Sequence, residues 1–274
     1  MSRKLYLYLI FTLFVFVSAS AEGLEAMKGK IPGGYNFWFY SPVNDSIPEA
    51  SETKPLVVFL HGRSLCGNDL NKVRRYGTIS AIEKGREIDA YVIAPQNPGG
   101  SWQPEKIMDV VDYVCENYNV DENRIYALGM SLGGYGTLDF AATYPDRIAA
   151  AVGLCGGATV KDLSGLAKVP LWIVHGEADS KVPVGKSDAV VEAVWAAQGD
   201  DGEDRLVYDR IPGVNHSQLA KVLYNVETYE WLFSHSLLDT DRKLVEPAII
   251  DNDFFARSYS GLNHSKGYKG SSSK

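Results

Sequence analysis

The stretch RIYALGMSLGG, residues 124–134, decides the predicted fold, because it joins an apolar run to a helical pattern through a serine flanked by glycines. The apolar half predicts a buried strand, and the residues after the serine predict a helix. Ser131 then lies at the apex of a sharp turn, where Gly129 and Gly133 leave no side chain to collide with neighbouring backbone. Such turns also occur for packing reasons alone, so the surrounding sequence must decide whether the serine is catalytic.

Three other apolar runs predict buried parallel strands, and each leads into polar residues. Residues 56–60 are followed by His61-Gly62-Arg63, residues 171–174 by a loop that contains Asp179, and residues 206–211 by a loop that contains His216. The carboxyl ends of parallel strands meet at one edge of a sheet, where ligands of open α/β sheets bind. The chain therefore offers serine, aspartate and histidine, in that order, at one edge.

These three residue types are the parts of a nucleophilic triad. A serine hydroxyl is a weak nucleophile at neutral pH, so an imidazole must accept its proton as it attacks a carbonyl carbon. We assign this base to His216, and we assign to Asp179 the task of holding the imidazole in the correct tautomer. The negative oxygen of the tetrahedral intermediate needs preorganised donors, for which the backbone amides of Leu132 and Arg63 are the candidates.

Other residues compete for these roles. His61 and His175 each precede a glycine at a strand end, where a histidine supports a loop by hydrogen bonding. His235 follows the last amphipathic segment and His264 lies in a polar tail, so we expect both to be solvated. Glu177 is the alternative acidic member, although it can equally face solvent.

Together these motifs resemble the α/β-hydrolase family, in which nucleophile, acid and base arrive in this chain order. The resemblance covers residues 55–233. Within the family the chain is most similar to compact esterases related to feruloyl and acetyl-xylan esterases, to dienelactone hydrolases and to related predicted peptidases. The motifs that carry this similarity are HG at 61–62, APQ at 94–96, GMSLGG at 129–134 and HGEAD at 175–179. The resemblance implies an α/β-hydrolase fold and a serine hydrolase activity.

The rest of the sequence alternates between strand and helix patterns, which predicts a mostly parallel sheet with helices on both faces. Strands are predicted at residues 35–40, 56–60, 90–94, 125–128, 149–154, 171–174 and 205–211, and helices at 79–84, 105–118, 132–144, 184–198 and 217–233. Only residues 156–169 separate the two predicted strands after the nucleophile helix. This spacing leaves no room for a large lid domain.

The amino terminus has the features of a secretory signal peptide. Arg3-Lys4 precede an apolar run at residues 5–17, and Ala19 and Ala21 form a small-residue cleavage pattern. The run is too short for a comfortable membrane span, so we predict residues 1–21 as a signal peptide, no membrane anchor, and a secreted or periplasmic protein. The predicted hydrolase domain then covers residues 22–240. Residues 241–274 form a C-terminal extension, and its end has the composition of a disordered tail.

Composition narrows the choice of partners. A formal net charge of −7 disfavours nucleic acid and anionic membranes. The three cysteines are too few for a disulfide framework. Cys115 is assigned to helix packing, while a Cys66–Cys155 bridge stays open because both residues follow strand ends. No residue spacing typical of a metal site and no phosphate-binding glycine loop occurs, so no metal and no cofactor is expected.

The loop at residues 95–102 follows a strand that ends beside the predicted site. Trp102 is a candidate for stacking on a sugar or an aromatic acyl group, with packing against the next helix as an equal alternative. Gln96 is a second candidate for substrate binding. Without a lid, the site suits an ester that projects from a large substrate.

The sequence thus predicts a secreted serine carboxylesterase that cleaves acetyl or feruloyl esters of plant polysaccharides through an acyl-enzyme. Three alternatives remain at this point. One is a peptidase of the prolyl-oligopeptidase type without a propeller, and another is a lipase or polyester depolymerase. The third is a binding module built on a hydrolase fold, for which a missing triad member would be typical.

Overall fold

A computed structural model describes residues 23–42, 53–199 and 205–268. Within these residues, eight strands form one sheet in the order β1-β2-β4-β3-β5-β6-β7-β8. The strands are β1 (Leu24–Met27), β2 (Phe37–Tyr40), β3 (Lys54–Leu60), β4 (Tyr91–Pro95), β5 (Val120–Met130), β6 (Ala150–Leu154), β7 (Leu171–Gly176) and β8 (Leu206–Ile211). Strands β3 to β8 run parallel, while β1 and β2 form an antiparallel edge.

Helices cover both faces of the sheet, as predicted for an α/β-hydrolase fold. They are α1 (Thr78–Glu83), α2 (Pro104–Asn117), α3 (Leu132–Thr143), α4 (Gly185–Gln198), α5 (His216–Leu219), α6 (Val226–Phe233) and α7 (Asn252–Arg257). Apolar residues of α2, α3 and α4 pack on one face, and those of α1, α6 and α7 pack on the other. Because both faces are covered, the central strands are apolar along almost their whole length.

The register of the central strands brings the predicted loops together. Leu60 at the end of β3 pairs with Gly129 of β5, and Met130 of β5 pairs with Leu154 at the end of β6. The chain therefore leaves three neighbouring strands at one edge. Between β6 and β7 the described chain contains one short 3₁₀ helix, Ser164–Lys168, and no lid domain.

The single helix predicted at residues 217–233 is wrong. The chain forms α5, a 3₁₀ helix at Ala220–Tyr224, and α6. The break falls at Asn225, whose backbone is extended and whose side-chain amide donates to the carbonyl oxygen of Phe254. A tertiary contact with a distant segment thus overrides the local helical pattern.

Strand β1, helix α7 and the 3₁₀ helices Arg63–Leu65, Leu70–Arg75 and Ser164–Lys168 were not predicted from the sequence. Phe254 and Phe255 of α7 and Leu262 beyond it are buried in the same apolar cluster as α6. The described part of the C-terminal extension therefore packs on the hydrolase fold.

The predicted signal peptide, residues 1–21, lies outside the described residues. None of the helices in the described ranges has the length and apolar character needed to cross a membrane.

Candidate active site

The turn between β5 and α3 holds Ser131 in a conformation that non-glycine residues rarely adopt, with φ 59° and ψ −122°. Its amide donates to the carbonyl oxygen of Leu154 at 2.8 Å, which ties the turn to the neighbouring strand. A methyl group on Gly133 would overlap the backbone of Leu60, so the helix can approach β3 only with glycine at this position. The strained serine is thereby fixed on the sheet edge.

His216 and Asp179 meet across the loops that follow β8 and β7. Nδ1 of His216 lies 2.6 Å from Oδ2 of Asp179. The Asp179 side chain is fully buried, whereas the His216 side chain is 20% exposed. The imidazole stands at the start of α5, where the side chain of Asn215 accepts hydrogen bonds from the amides of residues 217 and 218. One imidazole nitrogen is therefore bonded to the acid while the ring remains accessible.

The Asp179 carboxylate is stabilised in its charged form. Burial alone raises its pKa, but the amide of Val182, His216 and the amide of Lys181 act in the opposite direction and leave the pKa below its usual value. Oδ1 accepts from the amides of Lys181 and Val182 at 2.8 and 2.9 Å. Asp179 is therefore ionised at neutral pH and can stabilise a positive charge on His216.

A cavity of about 900 Å³ opens over these loops and is lined by both Ser131 and His216. The side chains around them come from the segment between β3 and α1, from helices α3 and α5, and from the loops after β6 and β7: Arg63, Ser64, Tyr76, Leu132, Tyr135, Thr159, Lys181, Val182 and Ser217. The space is of the size that small-molecule sites occupy. An ester can therefore reach the serine and the histidine from one cavity.

The backbone around Arg63 is suited to bind an oxyanion. Nε2 of His61 accepts from the Asn97 amide at 3.1 Å, so the other ring nitrogen, Nδ1, carries the proton and donates to the carbonyl oxygen of Gly62 at 2.8 Å. The peptide bond between Gly62 and Arg63 is trans, so the amide hydrogen of Arg63 points in the direction opposite to the carbonyl oxygen of Gly62, away from His61. The amide of Leu132 is the second candidate donor, because it lies in the first turn of α3, where helix amides have no acceptor within the helix.

His61 and His175 are buried and do not line the cavity, although Nε2 of His175 lies 3.5 Å from Oδ2 of Asp179. Burial lowers the pKa of His61 to about 4, and burial also lowers the pKa of His175. Both ring nitrogens of His175 are engaged, by Ser187 at 2.7 Å and by the carbonyl oxygen of Val182 at 3.0 Å. These two residues support loops, in the manner that their sequence positions predict.

His235 corrects an expectation, since it is buried rather than solvated. Its Nδ1 lies 2.9 Å from the carbonyl oxygen of Trp231, and its Nε2 accepts from the amide of Val245 at 3.3 Å. A polar side chain can occupy this interior position because both nitrogens are satisfied. His264 is exposed, as expected.

Glu177, the alternative acid, points away from His216. Its carboxylate pairs with Nε of Arg210 at 3.0 Å, and both side chains are largely exposed. The structure therefore brings Asp179, and not Glu177, to the imidazole.

Trp102 and Gln96 do not line the cavity, so their assignment to substrate binding is corrected. Trp102 is 3% exposed, packs edge-on against Tyr35 and His61, and donates from Nε1 to the carbonyl oxygen of His61. Gln96 is 5% exposed and donates to the backbone carbonyls of Leu65 and Asp69. Both residues hold the loops beneath the site, which is the packing alternative for Trp102.

Cys155, which the sequence offered only as a possible disulfide partner of Cys66, is a neighbour of the triad. Its Sγ lies within 4.8 Å of ligand atoms of both Asp179 and His216, the one such cluster among the described residues that could hold a metal ion. Burial and the nearby Asp179 carboxylate raise the pKa of the thiol, so it stays protonated and suits hydrogen bonding better than metal binding. Cys155 follows β6, and the strand-end position noted in the sequence is what brings it to the triad.

The three cysteines are free, so the Cys66–Cys155 bridge that the sequence left open is not formed. Tyr76, Thr159 and Lys181 are further cavity residues that sequence reasoning missed. Tyr76 and Thr159 do not directly follow a strand or belong to a motif, so no sequence signal marks them.

The fold is an α/β-hydrolase fold, with a serine, a histidine and an aspartate gathered at one edge of its sheet. Residues 96–221 match the model of the dienelactone hydrolase family. This match covers a little less than half of the chain, and the proteins similar to it include a feruloyl esterase and a thermostable esterase.

Two relatives and one solved structure illustrate this similarity. Poly(3-hydroxyalkanoate) depolymerase C of Paucimonas lemoignei is 28% identical over 54% of this chain and 39% of its own length. Feruloyl esterase B of Neurospora crassa is 27% identical over 53% of this chain and 54% of its own length. A thermostable esterase of known structure superimposes with a TM-score of 0.63 and 27% identity, over 79% of this chain and 64% of that one. The chain thus spans about half the length of the two sequence relatives.

Proposed function

We propose that the protein is a serine carboxylesterase that works through an acyl-enzyme on Ser131. The observation that carries the proposal is the pairing of His216 with the buried Asp179 carboxylate, at a cavity that also exposes the strained serine. A neutral imidazole held in this way can accept the serine proton.

The reaction proceeds in two halves. Ser131 Oγ attacks the ester carbonyl carbon while His216 takes its proton, and the carbonyl oxygen, now negative, accepts from the amides of Leu132 and Arg63. The carbon–oxygen bond to the alcohol breaks, the alcohol leaves with the proton from His216, and the acyl group remains on the serine. His216 then takes a proton from a water molecule whose oxygen attacks the acyl carbon. The bond between that carbon and Ser131 Oγ breaks, His216 returns the proton to Oγ, and the acid is released.

We further propose acetyl or feruloyl esters on plant polysaccharides as the substrates. The relative from Neurospora crassa is a feruloyl esterase, and the short β6–β7 connection leaves the cavity without a lid domain. A long acyl chain therefore finds no enclosed tunnel, whereas contacts to the carbohydrate can position the scissile bond.

Comparison of four substrate classes tests this proposal. Feruloyl- and acetyl-decorated xylo-oligosaccharides are expected to give a higher kcat/KM than long-chain 4-nitrophenyl esters and peptide amides. Preference for amides would favour the peptidase, and preference for long acyl chains would favour the lipase. Absence of turnover on all four would contradict the esterase assignment.

Polyester is the second candidate substrate, because one relative is a poly(3-hydroxyalkanoate) depolymerase. The same two-step chemistry would cleave the ester bonds of such a polymer. Release of hydroxyacid monomers from a polyester film, with no activity on the oligosaccharide esters, would favour this candidate.

Secretion is part of the proposal and rests on the pattern at residues 1–21. Amino-terminal sequencing of the protein recovered after expression with its own leader is expected to begin at Glu22. A sequence that begins at the initiator methionine would contradict the prediction.

A further inference from the structure

Tyr76 lies in the cavity, although the mechanism above does not use it. It directly follows the 3₁₀ helix Leu70–Arg75, and its ring packs partly against the core. Its hydroxyl oxygen accepts the amide hydrogen of Gly62 at 2.9 Å. Tyr76 thereby touches the same loop that presents the Arg63 amide.

The proton of this hydroxyl is directed elsewhere. A phenol oxygen both donates and accepts, and here the backbone amide of Gly62 can only donate to it. The phenolic hydrogen prefers the ring plane, so it takes the direction that the amide leaves open. The Ser64 side chain also hydrogen-bonds to this hydroxyl, and a serine that donates to the phenol oxygen leaves the phenolic hydrogen available to the cavity that both residues line.

The hydroxyl is separated from the nucleophile by one methyl-sized space. A methyl group placed on Gly62 would lie 2.7 Å from the Tyr76 hydroxyl oxygen and 3.4 Å from Cβ of Ser131. Glycine at residue 62 keeps this space open. The same methyl group would lie 3.2 Å from the carbonyl oxygen of Met130, so the space is bordered by Tyr76, Met130 and the nucleophile.

We propose that Tyr76 is a catalytic residue that donates a third hydrogen bond to the oxyanion, beside the amides of Leu132 and Arg63. This inference rests on the proposed esterase function. The hydroxyl is matched to the task, because burial raises its pKa and keeps it protonated at neutral pH. A neutral donor that faces developing negative charge is worth most in a cavity that substrate closes to water.

Replacement of Tyr76 by phenylalanine is the first test. Tyr76→Phe is expected to lower kcat by about 100-fold with little change in KM, since the bond forms only in the transition state. Tyr113→Phe is the matched control, because Tyr113 lies on α2 and is absent from the cavity lining. Wild-type kcat in Tyr76→Phe would overturn the proposal.

Phenylalanine also removes the oxygen that accepts the Gly62 amide hydrogen. A second variant therefore distinguishes donation of a hydrogen bond to the oxyanion from support of the Gly62 loop. Tyr76 is replaced by 3,5-difluorotyrosine, which keeps the oxygen but has a more acidic hydroxyl, and the same residue at Tyr113 serves as control. If Tyr76 donates, kcat falls as the fluorinated hydroxyl ionises, which its absorbance reports. If it only accepts, activity persists above that ionisation, because a phenolate accepts better, and the proposal is overturned.

Labelling of Ser131 by a serine-directed phosphonate, measured in every variant, tests the proposed function separately. If the Tyr76 variants label as fast as the wild type, and the difluorotyrosine variant keeps its kcat at alkaline pH, then Tyr76 has no catalytic role and the esterase assignment stands. Wild-type protein that neither labels nor hydrolyses esters would overturn both.

Discussion

The two sides of the site are built in different ways. On the nucleophile side, the loops after β3 and β5 are shaped by backbone contacts so close that Gly133 cannot carry a methyl group. On the acid–base side, the loops after β7 and β8 are joined by side chains, above all by the 2.6 Å bond between His216 and Asp179. The first side therefore fixes geometry through steric exclusion, and the second through hydrogen bonding and charge.

This difference decides which kind of mutation damages each side. A changed acid–base side chain should remove activity and leave the fold, because the buried carboxylate is replaced without loss of volume. A changed backbone contact should instead cost stability. The following predictions test that division, from the largest expected effect to the smallest.

Asp179→Asn is expected to lower kcat by about 10⁴-fold, because an amide favours the wrong tautomer of His216 and cannot stabilise the imidazolium. Esterase kinetics measure this loss, and circular dichroism checks that the fold is retained. Glu177→Gln is the matched control, since this carboxylate pairs with Arg210 at the surface, and it should keep wild-type kcat. A loss in Glu177→Gln together with full activity in Asp179→Asn would exchange the two assignments.

Gly133→Ala is expected to lower the free energy of unfolding by about 3 kcal/mol, because the methyl group would overlap the backbone of Leu60. Gly185→Ala is the control on α4, where no atom lies within 4 Å of the added methyl group, and it should stabilise by up to about 1 kcal/mol. Urea unfolding measures both values. Equal stabilities for the two variants would contradict the steric account of the nucleophile side.

The nucleophile side should also have its own pH dependence of stability, through His61. The pKa of His61 is about 4 in the fold against its ordinary value of 6.5, so between these values the unfolded chain binds a proton that the folded chain does not. Stability therefore falls as the pH decreases from 6.5 towards 4, and His61 accounts for about 2 kcal/mol of the loss between pH 7.5 and 5.

Urea unfolding at these two pH values measures this effect. His61→Gln is expected to reduce the loss on acidification by that amount, whereas the exposed His264→Gln should retain it. If His61→Gln loses as much free energy of unfolding between pH 7.5 and 5 as the wild type, the acid sensitivity belongs to other groups.

The same contrast explains what the sequence could predict. Close backbone contacts demand glycine, so the turn around Ser131 is visible in the sequence, and with it the parallel sheet. Hydrogen bonds between side chains leave no such signature, so Glu177 stayed an alternative until Asp179 was seen at 2.6 Å from His216. Trp102 is an aromatic residue on a loop in either interpretation, and only its burial at 3% exposure distinguishes packing from substrate binding.

Contacts between distant segments were the hardest to predict. The break in the helix predicted at 217–233 depends on a bond from Asn225 to Phe254, and α7 gives only a weak periodic pattern. Tyr76 reaches the site from a 3₁₀ helix that no motif marks. Such placements follow from packing of the whole chain rather than from local sequence.

Covalent labelling tests the central claim most directly, namely that Ser131 is the nucleophile of a serine esterase. The protein is treated with a serine-directed phosphonate, and the modified residue is located by peptide mass spectrometry. The account predicts one adduct, on Ser131, that is lost in Ser131→Ala and strongly slowed in His216→Ala. An adduct on another residue, or equal labelling of Ser131→Ala, would contradict it.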